Sequence, residues 1–287
     1  MTGGPGAPAT PIRAMRRRNA SSDTDFPYWL VATVVCAMAI AAFIISNDLY
    51  RQVLIVISKG IRTTVFVTLV AFAMASLLGL LIAVMGLSRS IVLRQLSRFY
   101  VEIVRGVPIL VLLFYIAFVG APAFVFAWNW VLTPLRDAGI VDALLVRDLS
   151  LLWRAITALT IGYSAFISEV FRAGILAVSE GQIEAAKALG LTGWQRFRLI
   201  VMPQAMRTIL PPLGNDFVAM VKDSSLVSVL GVADITQMGK VYASGSFRFF
   251  ETYSIVAYIY LILTIGLSLM LRALERRLRR AEGRRGN

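Results

Sequence analysis

Charged and amide side chains recur inside otherwise apolar stretches: Glu102 with Arg105, then Glu169, then Asn215, Asp216, Lys222 and Asp223, followed by Ser224, Ser225 and Ser228. A charge retained in a lipid-spanning helix costs about 2.5 to 3.5 kcal/mol on insertion scales and normally faces a cavity or a partner. Asn215 and Lys222 are seven apart and share one helical face, and Asp216 and Asp223 share the neighbouring stripe. Lys222 can donate to an anionic group while Asp223, Glu169 or Asn215 accepts from a cationic one, which is binding chemistry. A second reading keeps Lys222 and the carboxylates as mutually neutralising ion pairs, with the serine hydroxyls serving helix packing. Glu102 and Arg105, three apart, are expected to pair with each other near a gate.

Other chemistries are excluded early. The chain has no histidine and one cysteine, Cys36, inside an apolar run, so no Cys/His metal site and no intrachain disulfide can form. No glycine-rich phosphate loop occurs: Gly239-Lys240 lacks both the upstream glycine and the following Ser or Thr. The chain is not expected to hydrolyse ATP itself. A net charge of +13 raises nucleic acid as a ligand, but arginines distributed among apolar spans report membrane topology instead.

These residues need membrane-spanning elements to hold them. Of 287 residues 58% are hydrophobic, and the mean hydropathy is +0.74, as in a polytopic membrane protein. A span needs about 20 mostly apolar residues, and six segments are expected: 27–46, 62–86, 99–120, 151–178, 208–232 and 252–274. The fifth is polar, and Pro211-Pro212 is expected to break or kink its entry. With the N-terminus in the cytoplasm, the inner segments carry 19 of the 29 Lys and Arg residues and the outer segments 8, a bias that places both termini inside and requires the fifth segment to cross. Residues 1–25 read as a disordered basic cytoplasmic tail, 26–57 as an additional transmembrane helix with an external linker, and 276–287 as a basic tail against the lipid headgroups. Residues 120–150 form an external segment with an interfacial helix.

The inner loop 179–207 has its own logic. Ser179 with Gln182 fits a capping box, with Val178 and Ile183 as the hydrophobic staple, so a helix starts at Glu180 and stops at Gly190. Thr192 and Gln195 repeat the box, and Trp194, Phe197 and Val201 share a face of a second short helix that ends before Pro203. Small side chains at Ala185 and Ala186 admit another surface, and Glu184 offers it a carboxylate. The alternative is an ordinary interfacial helix closing a loop.

The order Glu184-Ala185-Ala186, three residues, Gly190, nine residues, Ile200, two residues, Pro203 resembles the EAA signature of the membrane subunits of ATP-binding cassette importers. The elements GQIEAAKALG, PQAMR, LPPLGNDF and MVKDSSL, with GIRTTVFVTLVAF and VEIVRGVPILVLLFYI upstream, are similar to the polar amino-acid uptake branch across about residues 58–275. The resemblance implies an all-α type I importer permease in a prokaryotic cytoplasmic membrane, whose coupling loop docks on a separate ATPase subunit through Glu184, Ala185, Ala186, Gly190, Trp194 and Pro203. It implies a second permease copy, identical or not, and an extracellular or periplasmic solute-binding protein. ATP and Mg belong to the ATPase partner, and no cofactor belongs to this chain. Amino-acid zwitterions become the expected cargo of Glu169, Asn215, Lys222, Asp223, Ser224 and Ser225. An ion-gradient-driven transporter of small polar solutes is the alternative, against which the lack of an internal repeat counts.

Overall fold

The computed structural model describes residues 28–283, with side chains described to Glu275. The expected tail 1–25 and the side chains of the C-terminal tail lie outside the described residues. Every regular element among the described residues is helical. The described residues fall into two units that divide between Phe43 and Ile44. Helix α1 (Tyr28–Ser46) is 19 residues of high hydropathy, about 28 Å long and enough to cross a bilayer.

The expected external linker is itself a helix, α2 (Asp48–Ser58). Asn47 caps it, accepting from the amides of Leu49 at 3.0 Å and Tyr50 at 3.4 Å, and its apolar stripe buries Val53 and Ile57. Helix α3 (Ile61–Gly86) crosses next. The third span departs from expectation: it does not run over 99–120. Pro108 removes an amide and holds Val107 in an extended conformation (φ −100°, ψ 129°), so the chain breaks between α4 (Ile91–Gly106) and α5 (Ile109–Tyr115). The apolar crossing is Ile109–Val131, made of α5, a π-turn (Ile116–Gly120) and α6 (Ala121–Val131). Glu102 and Arg105 therefore lie on the amphipathic α4 that precedes the span.

A short α7 (Thr133–Asp137) and a 3-10 turn (Val146–Asp148) fill the connecting segment before α8 (Leu151–Leu176). The loop helices α9 (Glu180–Ala188) and α10 (Gly193–Arg196) follow. A second π-turn (Phe197–Val201) carries the chain directly into α11 (Met202–Asp223), so the second loop helix does not end before Pro203. The wider π register lets the proline ring enter the first turn without striking the carbonyl one α-turn back. Pro211 and Pro212 likewise lie within a continuous α11. A 3-10 stretch (Ser224–Leu230) extends α11 to Gly231, whose φ of +81° ends it, and α12 (Ile235–Ser246) and α13 (Phe249–Gly283) complete the fold. Among the described residues five helical segments are long and apolar enough to cross a membrane. Helix α11, at 22 residues, is about 33 Å long and completes the expected six by length, its polarity explaining why composition alone passes over it.

The centre is α3 packed parallel to α8, through Val67, Ala71 and Ala75 on one side and Ala155, Leu159 and Ile167 on the other. Small residues permit this approach, since a Cβ on Gly79 would lie 3.0 Å from both Ile167 and the Ser164 carbonyl. Helix α11 runs antiparallel to α8, with Gly174 against Ile209 at one end and Tyr163 against Asp223 at the other. The 179–207 loop and the α3–α4 connection consequently share one end of the bundle. At the opposite end Asp234 is fully buried. Its carboxylate accepts from the Gln237 amide at 2.7 Å and the Tyr260 hydroxyl at 3.1 Å, and Ile235 donates its amide to Thr64 at 3.2 Å. Burial pushes the Asp234 carboxyl above the ordinary carboxylate range.

Candidate functional site: an intramembrane cavity and a capped loop

The break at Val107-Pro108 does more than end α4. It turns the chain across α8 and α11 and leaves a cavity of about 550 Å3 whose walls include Arg105, Tyr163, Phe166, Asp216 and Asp223. Tyr163 donates its hydroxyl to Asp223 Oδ2 at 2.7 Å. The Arg105 guanidinium carbon stands 5.3 Å from the centre of the Phe166 ring, within cation–π range. Asp216 Oδ2 is buried and has no hydrogen-bond partner. The lining thus offers a guanidinium on α4, two carboxylates on α11 and two aromatic rings on α8.

The residues singled out from sequence divide. Asp223 lines the cavity, whereas Asn215 and Lys222 are exposed on another side of α11, because adjacent helical residues are turned about 100° apart. Glu102 and Arg105 form no ion pair; Glu102 is exposed, and Arg105 is held over Phe166 from the neighbouring α8. Glu169 is engaged by Arg172, with Nη2 2.6 Å and Nε 3.1 Å from its carboxylate oxygens. Ser224 is buried and donates its hydroxyl to the Val221 carbonyl at 2.7 Å, and the Ser225 carbonyl accepts from Ser228 at 2.7 Å.

Tyr163, Phe166, Arg172 and Asp216 stand outside the pathway expected from sequence. Tyr163 precedes Asp223 by 60 residues, so no local spacing reveals the bond. Arg172 was within reach, since an arginine three residues after a glutamate is a helical neighbour.

The loop is built from its caps. Gly190 has a φ of +75°, its amide donates to Lys187, and Leu191 donates to the Ala186 carbonyl at 3.1 Å, a Schellman closure of α9. Thr192 and Gln195 form a reciprocal capping box, at 2.9 and 3.3 Å. Ser179 caps α9 through its carbonyl alone; its side chain makes no capping bond, so the box expected there is absent. Val178 and Ile183 do share an apolar cluster with Ala205 and Ile209. Glu184 and Ala185 face outward, but Ala186 is buried and packs the helix down. Beyond Gly190 the surface is apolar: Leu189, Trp194 and Leu199 are 80%, 67% and 59% exposed, with Trp194 stacked on Phe197 at 5.8 Å. Pro203 is exposed at the start of α11.

Similarity to known proteins extends over most of this architecture. The probable amino-acid permease protein YxeN of Bacillus subtilis is 36% identical over 218 residues, covering 76% of this chain and 89% of that protein. The glutamine transport system permease protein GlnP of Escherichia coli is 33% identical over 221 residues, covering 77% and 92%. Among solved structures, an amino acid ABC transporter crystallised with histidines matches with a TM-score of 0.65 and 35% identity, over 81% of this chain and 97% of that one. The inward-facing MetNI methionine transporter, at 20% identity and a TM-score of 0.59, shares the fold. Residues 75–280 match the family described as the binding-protein-dependent transport system inner membrane component, and the chain belongs to that family: it is a multi-pass permease subunit of an ATP-driven importer, whose ATPase is a separate subunit.

Proposed function

We propose that this chain, paired with a second permease copy, forms the pore of an importer for polar amino acids. The observation that carries the reading is the cavity, where Arg105 can bind an α-carboxylate while an aspartate, Asp216 or Asp223, accepts from the ammonium, the two complementary ends of a zwitterion. The amino-acid and glutamine transport named for the relatives supports the cargo class. Asn215 and Lys222, exposed on α11, face the second copy across the pore, since polar groups inside a membrane require such cover. The 179–207 loop lies in the cytoplasm and inserts α9, with Glu184 and the Leu189-Trp194 surface, into the ATPase subunit. Both termini are cytoplasmic, a solute-binding protein delivers the cargo from outside, and ATP and Mg stay on the ATPase partner.

In mechanism, closure of the ATPase pair draws the two loops together. Ile183 of α9 shares an apolar cluster with Ala205 and Ile209 of α11, and α10, the π-turn and α11 run on without a break, so that displacement is transmitted along α11 to the cavity wall carrying Asp216 and Asp223. Each bound state shifts the inward–outward equilibrium only by its differential affinity. The test is co-purification with the ATPase subunit and amino-acid-stimulated ATP hydrolysis in proteoliposomes. Stimulation by polar amino acids and its loss in Glu184→Lys are expected; hydrolysis indifferent to every amino acid would overturn the reading.

A further inference from the structure

We infer that the cavity selects amino acids with a cationic side chain, with Asp216 as the specificity-determining residue; this rests on the proposed function, since it concerns the cargo of the same cavity. The charges lining the cavity are one guanidinium, Arg105, and two carboxylates, Asp216 and Asp223. A zwitterion is neutral and would leave one of the carboxylates without a counter-charge. A cargo with a net charge of +1 completes the set: its carboxylate on Arg105, one cationic group on Asp223 and the other on Asp216.

The two carboxylates are not equivalent. Asp223 already accepts from Tyr163, whereas Asp216 lines the cavity with no ion pair, and its inner oxygen, Oδ2, is buried without a donor, so the carboxylate has no partner from the protein to satisfy it. They stand seven residues apart on α11, about 10 Å along the axis. That separation suits a ligand bearing cationic groups at both ends, such as lysine, ornithine or arginine. A glutamine side chain can donate to Asp216 but brings no charge, and a glutamate side chain meets a like charge. Arg105 lies on the wall with Phe166, so the guanidinium is available for the α-carboxylate and does not neutralise the far carboxylate by contact: among the described residues neither aspartate forms an ion pair.

Binding of radiolabelled lysine to the detergent-purified complex, without the solute-binding protein, tests this by displacement. Unlabelled arginine and ornithine are expected to displace it at concentrations at least roughly tenfold below those needed for glutamine, with glutamate weakest. Asp216→Asn should abolish that gap and Asp216→Glu should keep it, which separates lost charge from lost fold. Glutamine displacing lysine as well as arginine does in the unmodified complex would overturn the inference and leave the amino-acid reading standing. Failure of any amino acid to bind would overturn the amino-acid reading itself.

Discussion

Arg154 on α8 donates from Nη1 to the carbonyl of Ala117, in the π-turn of the facing span, at 3.1 Å. The bond has a local cause. The amide of Ala121 is taken by Ile116, and the next residue is Pro122, so no backbone donor within the helix is left for Ala117. The same guanidinium also donates to the carbonyls of Leu149, at 2.8 Å, and Val146, closing the connecting segment onto both helices. Arg154→Ala is expected to destabilise the detergent-solubilised protein by about 1 to 3 kcal/mol, since three part-buried carbonyls lose their donor. In a Pro122→Ala background the penalty should shrink by about 1 kcal/mol, because an amide returns for Ala117; a double-mutant cycle of thermal unfolding reads the coupling.

Gly174 is where α8 touches α11. An added Cβ would lie 2.2 Å from Ile209 Cγ1, well inside contact distance. Gly174→Ala should cost about 1 to 3 kcal/mol by overpacking, and Ile209→Ala in the same chain should recover much of it. Thermal melting of the two variants and the double variant is sufficient to check this.

Gly190 has open space around its Cα but a left-handed backbone, so its requirement is conformational. Gly190→Val should cost about 1 to 2 kcal/mol at the end of α9, and Gly190→Asn less, since asparagine tolerates this region. Substrate-stimulated ATP hydrolysis should fall in the order Gly, Asn, Val, with an unchanged melting midpoint for the membrane core.

Trp194 is two-thirds exposed on the loop surface. Its replacement by Ala should alter thermal stability by no more than about 0.5 kcal/mol, as for surface positions generally. Retention of the ATPase subunit through size-exclusion chromatography should nevertheless drop. Undiminished retention would remove Trp194 from the docking surface.

Tyr163→Phe removes one donor from the Asp223 carboxylate and leaves the ring in place. A hydrogen bond to a charged group contributes about 1.5 to 3 kcal/mol, so a loss of stability of that order is expected. The same variant should raise the KM for amino-acid uptake, because Asp223 is no longer oriented toward the cavity; uptake assayed over a concentration series measures it.

The chain's local chemistry is written in its sequence. Twenty-residue apolar runs must cross a bilayer, Gly190 must end a helix, Thr192 with Gln195 must begin one, and polar residues at 215, 216, 222 and 223 must mark a wet helix, because each depends on neighbours a few residues away. The EAA spacing carries the family for the same reason. Tertiary structure decided which polar residues meet. Asp223 and Lys222 are adjacent in sequence, yet only Asp223 lines the cavity, with Tyr163 as its donor from another helix. Glu169 turned to Arg172 and Arg105 to Phe166, leaving Asp216 with a buried and unpartnered oxygen. Helical periodicity fixes which residues share a face, but packing between helices fixes what that face confronts, and the charge balance of the cavity is set at that second step.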